Sequence, residues 1–264
     1  MKIELAGRTD QGPRPYNDDR ILLLDEILNG TGDFCESDLP VTAALCDGCG
    51  GYAGGGTAAE LVLSSIRSRR DEMINGDCDE ILRVLQTAED AVREQKRSNP
   101  SLSDMCTTLV GCVFTETVTV FFYSGDSRVY SYDGSSLVRM TKDHSLVQEL
   151  VDLGELSEDE ALHHPRRNVI TRCLGIGASA PEVYRLGRSI RPGEIFLLCS
   201  DGLWEYVSEE KVREILDRKT GLLEKADLLV NTALLSGGDD NTSVLLCRCP
   251  EDSAAVKPVP FILD

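Results

Sequence analysis

Four aspartates stand where an apolar, β-prone run of the chain begins or ends. They are Asp19, Asp47, Asp201 and Asp240. Carboxylates brought to one edge of a sheet repel one another, and a hard divalent cation such as Mg²⁺ or Mn²⁺ relieves that repulsion. Asp-Gly is also a common turn dipeptide, and Asp133-Gly134 is predicted to be one such turn. Any one aspartate alone therefore favours a turn, whereas the set of four indicates a divalent-metal site.

One arginine, Arg14, lies close in sequence to the first of these aspartates. Its planar guanidinium could pair with the carboxylates, or it could bind a phosphate beside a metal. Acidic ligands, metals and an arginine are typical of phosphoryl transfer, in which two metals share a hydroxide that attacks phosphorus in line. Neither a G-x-S-x-G motif nor a Cys-x5-Arg motif is present in the sequence to suggest a covalent nucleophile.

The stretch ALCDGCGGYAGGGTAAE, residues 44–60, surrounds Asp47 with glycine. Glycine loses more backbone entropy on folding than any other residue, so such a cluster is costly. It indicates either a backbone that passes very close to another group or a flexible loop.

The bulk composition excludes several classes of protein. The chain has 264 residues, a net charge of −18 and 41% hydrophobic residues, which predicts a globular protein without the basic footprint of a nucleic-acid binder. No apolar run reaches the length of about 18 residues that suggests a membrane span, and no signal-peptide pattern opens the chain. We therefore expect a cytoplasmic protein, with its ten cysteines reduced.

The elements that must position the aspartates alternate between short strands and helices. Helices are predicted over about 57–74 and 79–97, after Ser145 and Ser157, and over 208–216 and 222–235. Strands are predicted over 20–24, 41–46, 108–114, 117–124, 128–132, 136–140, 183–187, 195–199 and 242–249. Because hairpins pair strands antiparallel, the pattern predicts an α+β fold: a four-layer αββα sandwich of two antiparallel β-sheets faced by helices.

The motifs, taken in chain order, resemble those of the metal-dependent Ser/Thr protein phosphatases of type 2C, in particular the compact bacterial type. The resemblance covers nearly the whole chain. The motifs that carry it are TDQGPRPYNDD, CDGCGG, MCTTLV, GDSRVY, HPRRNVITRCLG, SDGLWE and GGDDNTS.

This resemblance implies a role for each matching residue. Arg14 would bind the phosphate, and Asp47 would bridge the two metals. The ligands of the binuclear centre would be Asp19, Asp47, Gly48 through its carbonyl, Asp201 and Asp240. Asp126 would belong to a third metal site. The cofactors would be two Mn²⁺ or Mg²⁺ ions with a possible third, and a metal-bridging hydroxide would hydrolyse phosphoserine and phosphothreonine.

The chain also departs from the family pattern. Tyr52 replaces a histidine common in bacterial members, Gly56 replaces a glutamate, and Cys49 occupies the position of a histidine proposed as general acid in eukaryotic relatives. No general acid is assigned, and Cys49 is either an inert thiol or a point of oxidant sensitivity. The alternative function is a weak or inactive pseudophosphatase that serves as a regulatory binding module. A metal-dependent nuclease is disfavoured by the charge.

The resemblance implies phosphorylated Ser/Thr proteins as substrates and an opposing Ser/Thr kinase as a partner. We expect no nucleic acid or membrane partner, and a monomer. Residues 1–249 are expected to form a single phosphatase catalytic domain, and residues 250–264 a C-terminal surface tail.

Overall fold

The computed structural model describes residues 1–49, 54–176 and 180–251. Its strands are β1 (Lys2–Asp10), β2 (Arg20–Leu23), β3 (Glu26–Leu28), β4 (Asp33–Asp38), β5 (Val41–Cys46), β6 (Gly48–Cys49), β7 (Cys106–Thr107), β8 (Leu109–Phe114), β9 (Thr119–Ser124), β10 (Arg128–Tyr132), β11 (Leu137–Arg139), β12 (Glu182–Leu186), β13 (Ile195–Cys199) and β14 (Thr242–Arg248). Its α-helices are α1 (Gly55–Ser68), α2 (Arg70–Met73), α3 (Cys78–Ser98), α4 (Leu146–Asp152), α5 (Glu158–Leu162), α6 (Asp201–Trp204), α7 (Glu209–Leu216) and α8 (Leu222–Leu235).

The strands form two six-stranded sheets and one small ribbon. The first sheet has the order β11-β10-β13-β14-β1-β4, and the second has the order β12-β9-β8-β5-β2-β3. β6 and β7 pair separately. All the pairings between these strands are antiparallel. The predicted hairpins β8–β9 and β10–β11 are both present.

Three apolar layers hold the four structural layers together. The inner faces of the two sheets meet in a core that includes Phe114, Phe196 and Leu245, all fully buried. Helices α1 and α3 pack on the outer face of the second sheet, and α7 and α8 pack on the outer face of the first. The predicted αββα sandwich is thus confirmed.

The start of the first long helix differs from the sequence prediction. The pattern Thr57-Ala58-Ala59-Glu60 predicts a capping box, yet α1 begins at Gly55, after Gly54, with no side-chain cap. The helix also stops at Ser68 instead of continuing to about residue 74. The reason for the early start is a close backbone approach between Gly55 and Gly48, described below. The capping box predicted at Ser157 and Glu160 is present.

Two further expectations concern the chain as a whole. Within the described part of the chain, none of the helices combines the length and apolar character needed to cross a membrane. The predicted C-terminal tail falls outside the described residues from residue 252 onward.

Candidate metal centre

The sheet registers bring the predicted aspartates to one end of the sandwich. Arg20 of β2 pairs with Cys46 of β5, so Asp19 and Asp47, one residue farther along each strand, lie opposite each other. In the other sheet, Cys199 of β13 pairs with Val244 of β14. Asp201 and Asp240 follow and precede these two strands at the same end of that sheet. The strand-end pattern thus becomes a cluster of carboxylates from both sheets.

The charges of these carboxylates raise one another's pKa values. Burial, and then the charges of the other four aspartates, raise the pKa of Asp47 well above its ordinary value. Burial likewise raises the pKa of Asp19 to about 6 and that of Asp126 to about 7. The pKa of Asp201 is also raised, first by burial and then by Asp126 and Asp240. Five acidic groups held this close favour a cation among them.

Unpaired oxygen atoms point to the same conclusion. The Oδ1 atoms of Asp19, Asp126 and Asp201 are buried and have no hydrogen-bond partner within the described residues. Buried carboxylate oxygens without partners are costly, and oxygen is the ligand that Mg²⁺ and Mn²⁺ prefer. The other oxygen of Asp19, Oδ2, accepts a hydrogen bond from Ser200 Oγ at 2.9 Å, which leaves Oδ1 available. The donor set therefore fits a hard divalent cation.

The side chains do not yet form a closed ligand cage. Across residues 1–49, 54–176 and 180–251, no group of three or more His, Cys, Asp or Glu side chains is arranged as a metal cluster. Arg14 already binds one of the carboxylates: its Nη2 donates to Asp240 Oδ2 at 2.7 Å, and its Nε donates to the Asp239 carbonyl at 2.8 Å. The guanidinium thus neutralises one carboxylate, which is the pairing that the sequence left open as an alternative to phosphate binding.

Two glycines of the cluster, Gly48 and Gly55, are explained by the packing of two backbones. A Cβ atom on Gly48 would lie 2.3 Å from the carbonyl carbon of Gly55, and one on Gly55 would lie 2.5 Å from the Gly48 oxygen. Neither distance is compatible with a side chain. The first turn of α1 can therefore lie directly against the peptide that follows Asp47, and Gly56 N donates to Asp18 Oδ1 at 2.9 Å beside it.

The main chain of Asp47 is fixed by two buried threonines. Its carbonyl oxygen accepts hydrogen bonds from Thr108 N at 2.8 Å and from Thr107 Oγ1 at 2.9 Å. Its N–H donates to Thr108 Oγ1 at 3.1 Å, and that hydroxyl contacts Ser127 Oγ at 2.7 Å. These threonines, recognised in the sequence as a buried pair, hold the central carboxylate in place.

Comparisons with known proteins agree with this geometry. A family model described as protein phosphatase 2C matches residues 32–236. The chain belongs to this family. It is similar to the serine/threonine phosphatase stp of Listeria monocytogenes, with 34% identity over 245 residues that cover 90% of this chain and 93% of that protein. It is also similar to the serine/threonine protein phosphatase PstP of Mycobacterium tuberculosis, with 35% identity over 93% of this chain and 45% of that protein.

Solved structures show the same phosphatase 2C fold. The crystal structure of M. tuberculosis PstP/Ppp aligns with a TM-score of 0.82 and 32% identity, over 95% of this chain and 100% of that one. A structure of the PstP catalytic domain in complex with two manganese ions aligns with a TM-score of 0.79 and 30% identity, over 94% of this chain and 99% of that one. The family, fold and enzyme class predicted from the sequence are confirmed.

Asp126 lies beside the carboxylate cluster, at the opening of a cavity. It is buried, and its carbonyl accepts a hydrogen bond from Trp204 Nε1 at 3.0 Å. The guanidinium of Arg128 lies 3.6 Å from the centre of the Trp204 ring and forms an ion pair with Asp143 at 2.7 Å. A cavity of about 970 Å³ opens from this point between α4, α5 and α7. Trp204 is half-buried: it lines this cavity and packs against the buried cluster between the first sheet and helices α7 and α8.

One residue of the candidate site was missed by the sequence analysis, and others lie outside the described residues. Ser200 is fully buried beside Asp19 and was not predicted as a site residue. The one feature of the sequence that could have indicated it is its position at the end of an apolar strand. Asp201 begins a short helix, α6, where the sequence indicated a turn. Gly50, Gly51 and Tyr52, the last of which replaces a histidine of the family pattern, are not among the described residues.

Proposed function

We propose that this chain hydrolyses phosphoserine and phosphothreonine esters of proteins with two divalent cations, Mn²⁺ or Mg²⁺. The observation that carries the proposal is the cluster of mutually repelling carboxylates with buried, unpaired oxygen atoms. Support comes from the family, since similar proteins are named serine/threonine phosphatases and one related structure holds two manganese ions.

The side chains divide the work as follows. Asp47 would bridge the two ions, because the charges of all four other aspartates raise its pKa. Four further residues would complete the coordination of the two ions: Asp19, Gly48, Asp201 and Asp240. Gly48 would contribute its backbone carbonyl. When bound, the cations would supply positive charge for the phosphate and lower the pKa of a water so that it can attack phosphorus.

Arg14 would bind the phosphate of the substrate. Its side chain is half exposed and lies at the edge of the carboxylate cluster, on Asp240. Its fork of N–H groups matches phosphate oxygens as well as carboxylate oxygens. Once cations neutralise Asp240, the guanidinium is free to exchange that carboxylate for a phosphate. Asp126, with its own buried oxygen, would hold a third ion.

The partners that we propose follow from the reaction. They are phosphorylated Ser/Thr proteins as substrates and an opposing Ser/Thr kinase, with the phosphatase acting as a monomer. Residues 1–249 would form its single catalytic domain.

The test is phosphate release from a phosphothreonine peptide by the purified chain. We expect release with Mn²⁺ or Mg²⁺, none with a chelator, and none from Asp201→Asn. Asp90→Asn, an exposed aspartate of α3 far from the cluster in sequence, is the matched control and should remain active. If the folded wild-type chain releases no phosphate with either metal, the proposal is wrong and the pseudophosphatase alternative takes its place.

A further inference from the structure

Three cysteines from distant parts of the sequence meet beside the metal centre. Cys49 of β6 is the direct cross-strand partner of Cys106 of β7. Cys173 approaches the same strand from the other side, because Leu174 and Thr107 exchange backbone hydrogen bonds at 2.9 and 3.0 Å. Cys106 thus has one thiol as its neighbour across the β6–β7 pair and a second beside the Thr107–Leu174 bridge. Two thiols therefore flank a third, and we name Cys49, Cys106 and Cys173 the thiol cluster.

The cluster is tightly enclosed except on one side. Cys106 and Cys173 are buried, with 4% and 6% of their surface exposed, whereas Cys49 is partly exposed. A Cβ atom on Gly175 would lie 2.8 Å from the Met105 oxygen, so the segment after Cys173 packs directly on the strand that carries Cys106. Cys49 is thus the most exposed residue of the cluster, and Cys106 lies across the strand pair from it.

The environment also distinguishes the three thiols. The neighbouring thiols Cys173 and Cys49, and then the charge of Lys96, lower the pKa of Cys106 against the opposing effect of burial. Lys96 is held nearby, since its Nζ donates to the Gly175 carbonyl at 2.6 Å. A cysteine with a lowered pKa has more of the nucleophilic thiolate form. Cys106 is thus the more nucleophilic thiol of the pair, whereas Cys49, whose pKa is raised, is the more exposed one.

We propose that Cys49 and Cys106 form an oxidation site that a peroxide converts into a disulfide. In the first step the Cys49 thiol takes one oxygen atom from the peroxide and becomes a sulfenic acid, and the peroxide is reduced to water. In the second step the Cys106 sulfur attacks the Cys49 sulfur, the S–S bond forms, and the hydroxyl leaves with a proton as a second water. Two thiols thus lose one electron each, and one hydrogen peroxide becomes two waters.

The disulfide would act on the metal centre through Asp47. Cys49 Sγ donates to the Asp47 carbonyl at 3.7 Å, the same oxygen that Thr107 and Thr108 hold. Disulfide formation removes the Cys49 S–H donor and covalently joins β6 to β7. Loss of groups that orient metal ligands typically lowers activity or metal affinity by about 10-fold or more. This effect on activity rests on the proposed phosphatase function, whereas disulfide formation itself does not.

The experiment exposes the full chain to hydrogen peroxide, blocks free thiols with an alkylating agent and maps disulfides by mass spectrometry. Fragment ions must distinguish Cys49 from Cys46. We expect a Cys49–Cys106 cross-link that dithiothreitol removes, with phosphatase activity falling about 10-fold and returning on reduction. Cys106→Ser should abolish the cross-link and protect activity, and Cys35→Ser, which alters a partly exposed thiol outside the cluster, should change neither.

The proposal is overturned if Cys49 and Cys106 both remain alkylatable after peroxide, or if Cys106→Ser is inactivated as fast as the wild type. Because the cross-link is read by mass and not by turnover, a chain without phosphatase activity still tests the oxidation site. Conversely, an active chain with no cross-link overturns this inference alone.

Discussion

Asp126 should make the metal-free protein less stable as the pH rises. Burial, and then the charge of Asp143, raise the pKa of Asp126 from its ordinary value of 3.8 to about 7. A folded-state pKa above the unfolded value means that the folded chain binds the proton more tightly. The stability that this proton provides is complete below the unfolded pKa and is lost as the pH rises to the folded pKa. The window therefore runs from about pH 4 to about pH 7.

The size of the effect follows from the pKa difference. Each pH unit is worth about 1.4 kcal/mol, so a difference of about three units costs about 4 kcal/mol above pH 7. Between pH 5 and pH 7 the loss is about 3 kcal/mol. Asp126→Asn carries a neutral amide of the same shape and cannot lose a proton. We therefore expect this variant to be more stable than the wild type at pH 8. Its stability relative to the wild type should be lower at pH 5 than at pH 8.

The assay is thermal unfolding in the presence of a chelator at pH 5 and pH 8, for the wild type and Asp126→Asn. In a chain of this length 1 kcal/mol shifts the melting temperature by about 2–4 °C. The advantage of the variant should therefore grow by about 6–12 °C between the two pH values. Comparing the two proteins cancels the titrating groups whose pKa values do not depend on the charge of Asp126. A variant that tracks the wild type at both pH values, or that is less stable at pH 8, would refute the reasoning.

Three further perturbations test the way the centre is held together. Ser200→Ala removes the donor to Asp19 Oδ2, and we expect Mn²⁺ affinity by calorimetry to fall about 10-fold or more with the fold intact. Gly55→Ala would place a Cβ 2.5 Å from the Gly48 oxygen and should lower the free energy of unfolding by about 1–3 kcal/mol, whereas Gly187→Ala, which meets open space, should not. Arg14→Ala should raise the KM for a phosphopeptide more than it lowers kcat, since Arg14 is proposed to bind the phosphate. Steady-state kinetics measure both constants. If the guanidinium acts only in the transition state, kcat falls and KM stays nearly unchanged.

The sequence predicted the acidic cluster because strand ends are visible as the ends of apolar runs. Antiparallel pairing then restricts where the strand ends can lie. The pairing of Arg20 with Cys46 is enough to bring Asp19 opposite Asp47. The hairpin at Asp133-Gly134 was predictable for a similar reason, because the turn chemistry is local. Strand β1 was missed, although it lies between β14 and β4 in the first sheet, since its residues Lys2–Asp10 mix charged and apolar types.

Local signals failed where tertiary contacts decide the structure. Thr57 and Glu60 satisfy the pattern of a capping box, yet α1 begins two residues earlier because Gly55 packs on Gly48. The partner of Arg14 could not be chosen from sequence either, since a guanidinium suits a carboxylate and a phosphate equally well. Only the position of Asp240 beside it shows which group it contacts when no phosphate is present.

The thiol cluster likewise depends on tertiary contacts that the local sequence does not reveal. In the sequence, Cys49 alone could be judged inert or oxidant-sensitive, because nothing local brings Cys106 and Cys173 to it. The register of β6 with β7 and the bridge between Thr107 and Leu174 supply both neighbours. The same short ribbon holds the Asp47 carbonyl through Thr107. A disulfide between Cys49 and Cys106, as proposed, would therefore join the two short strands that also hold the main chain of Asp47.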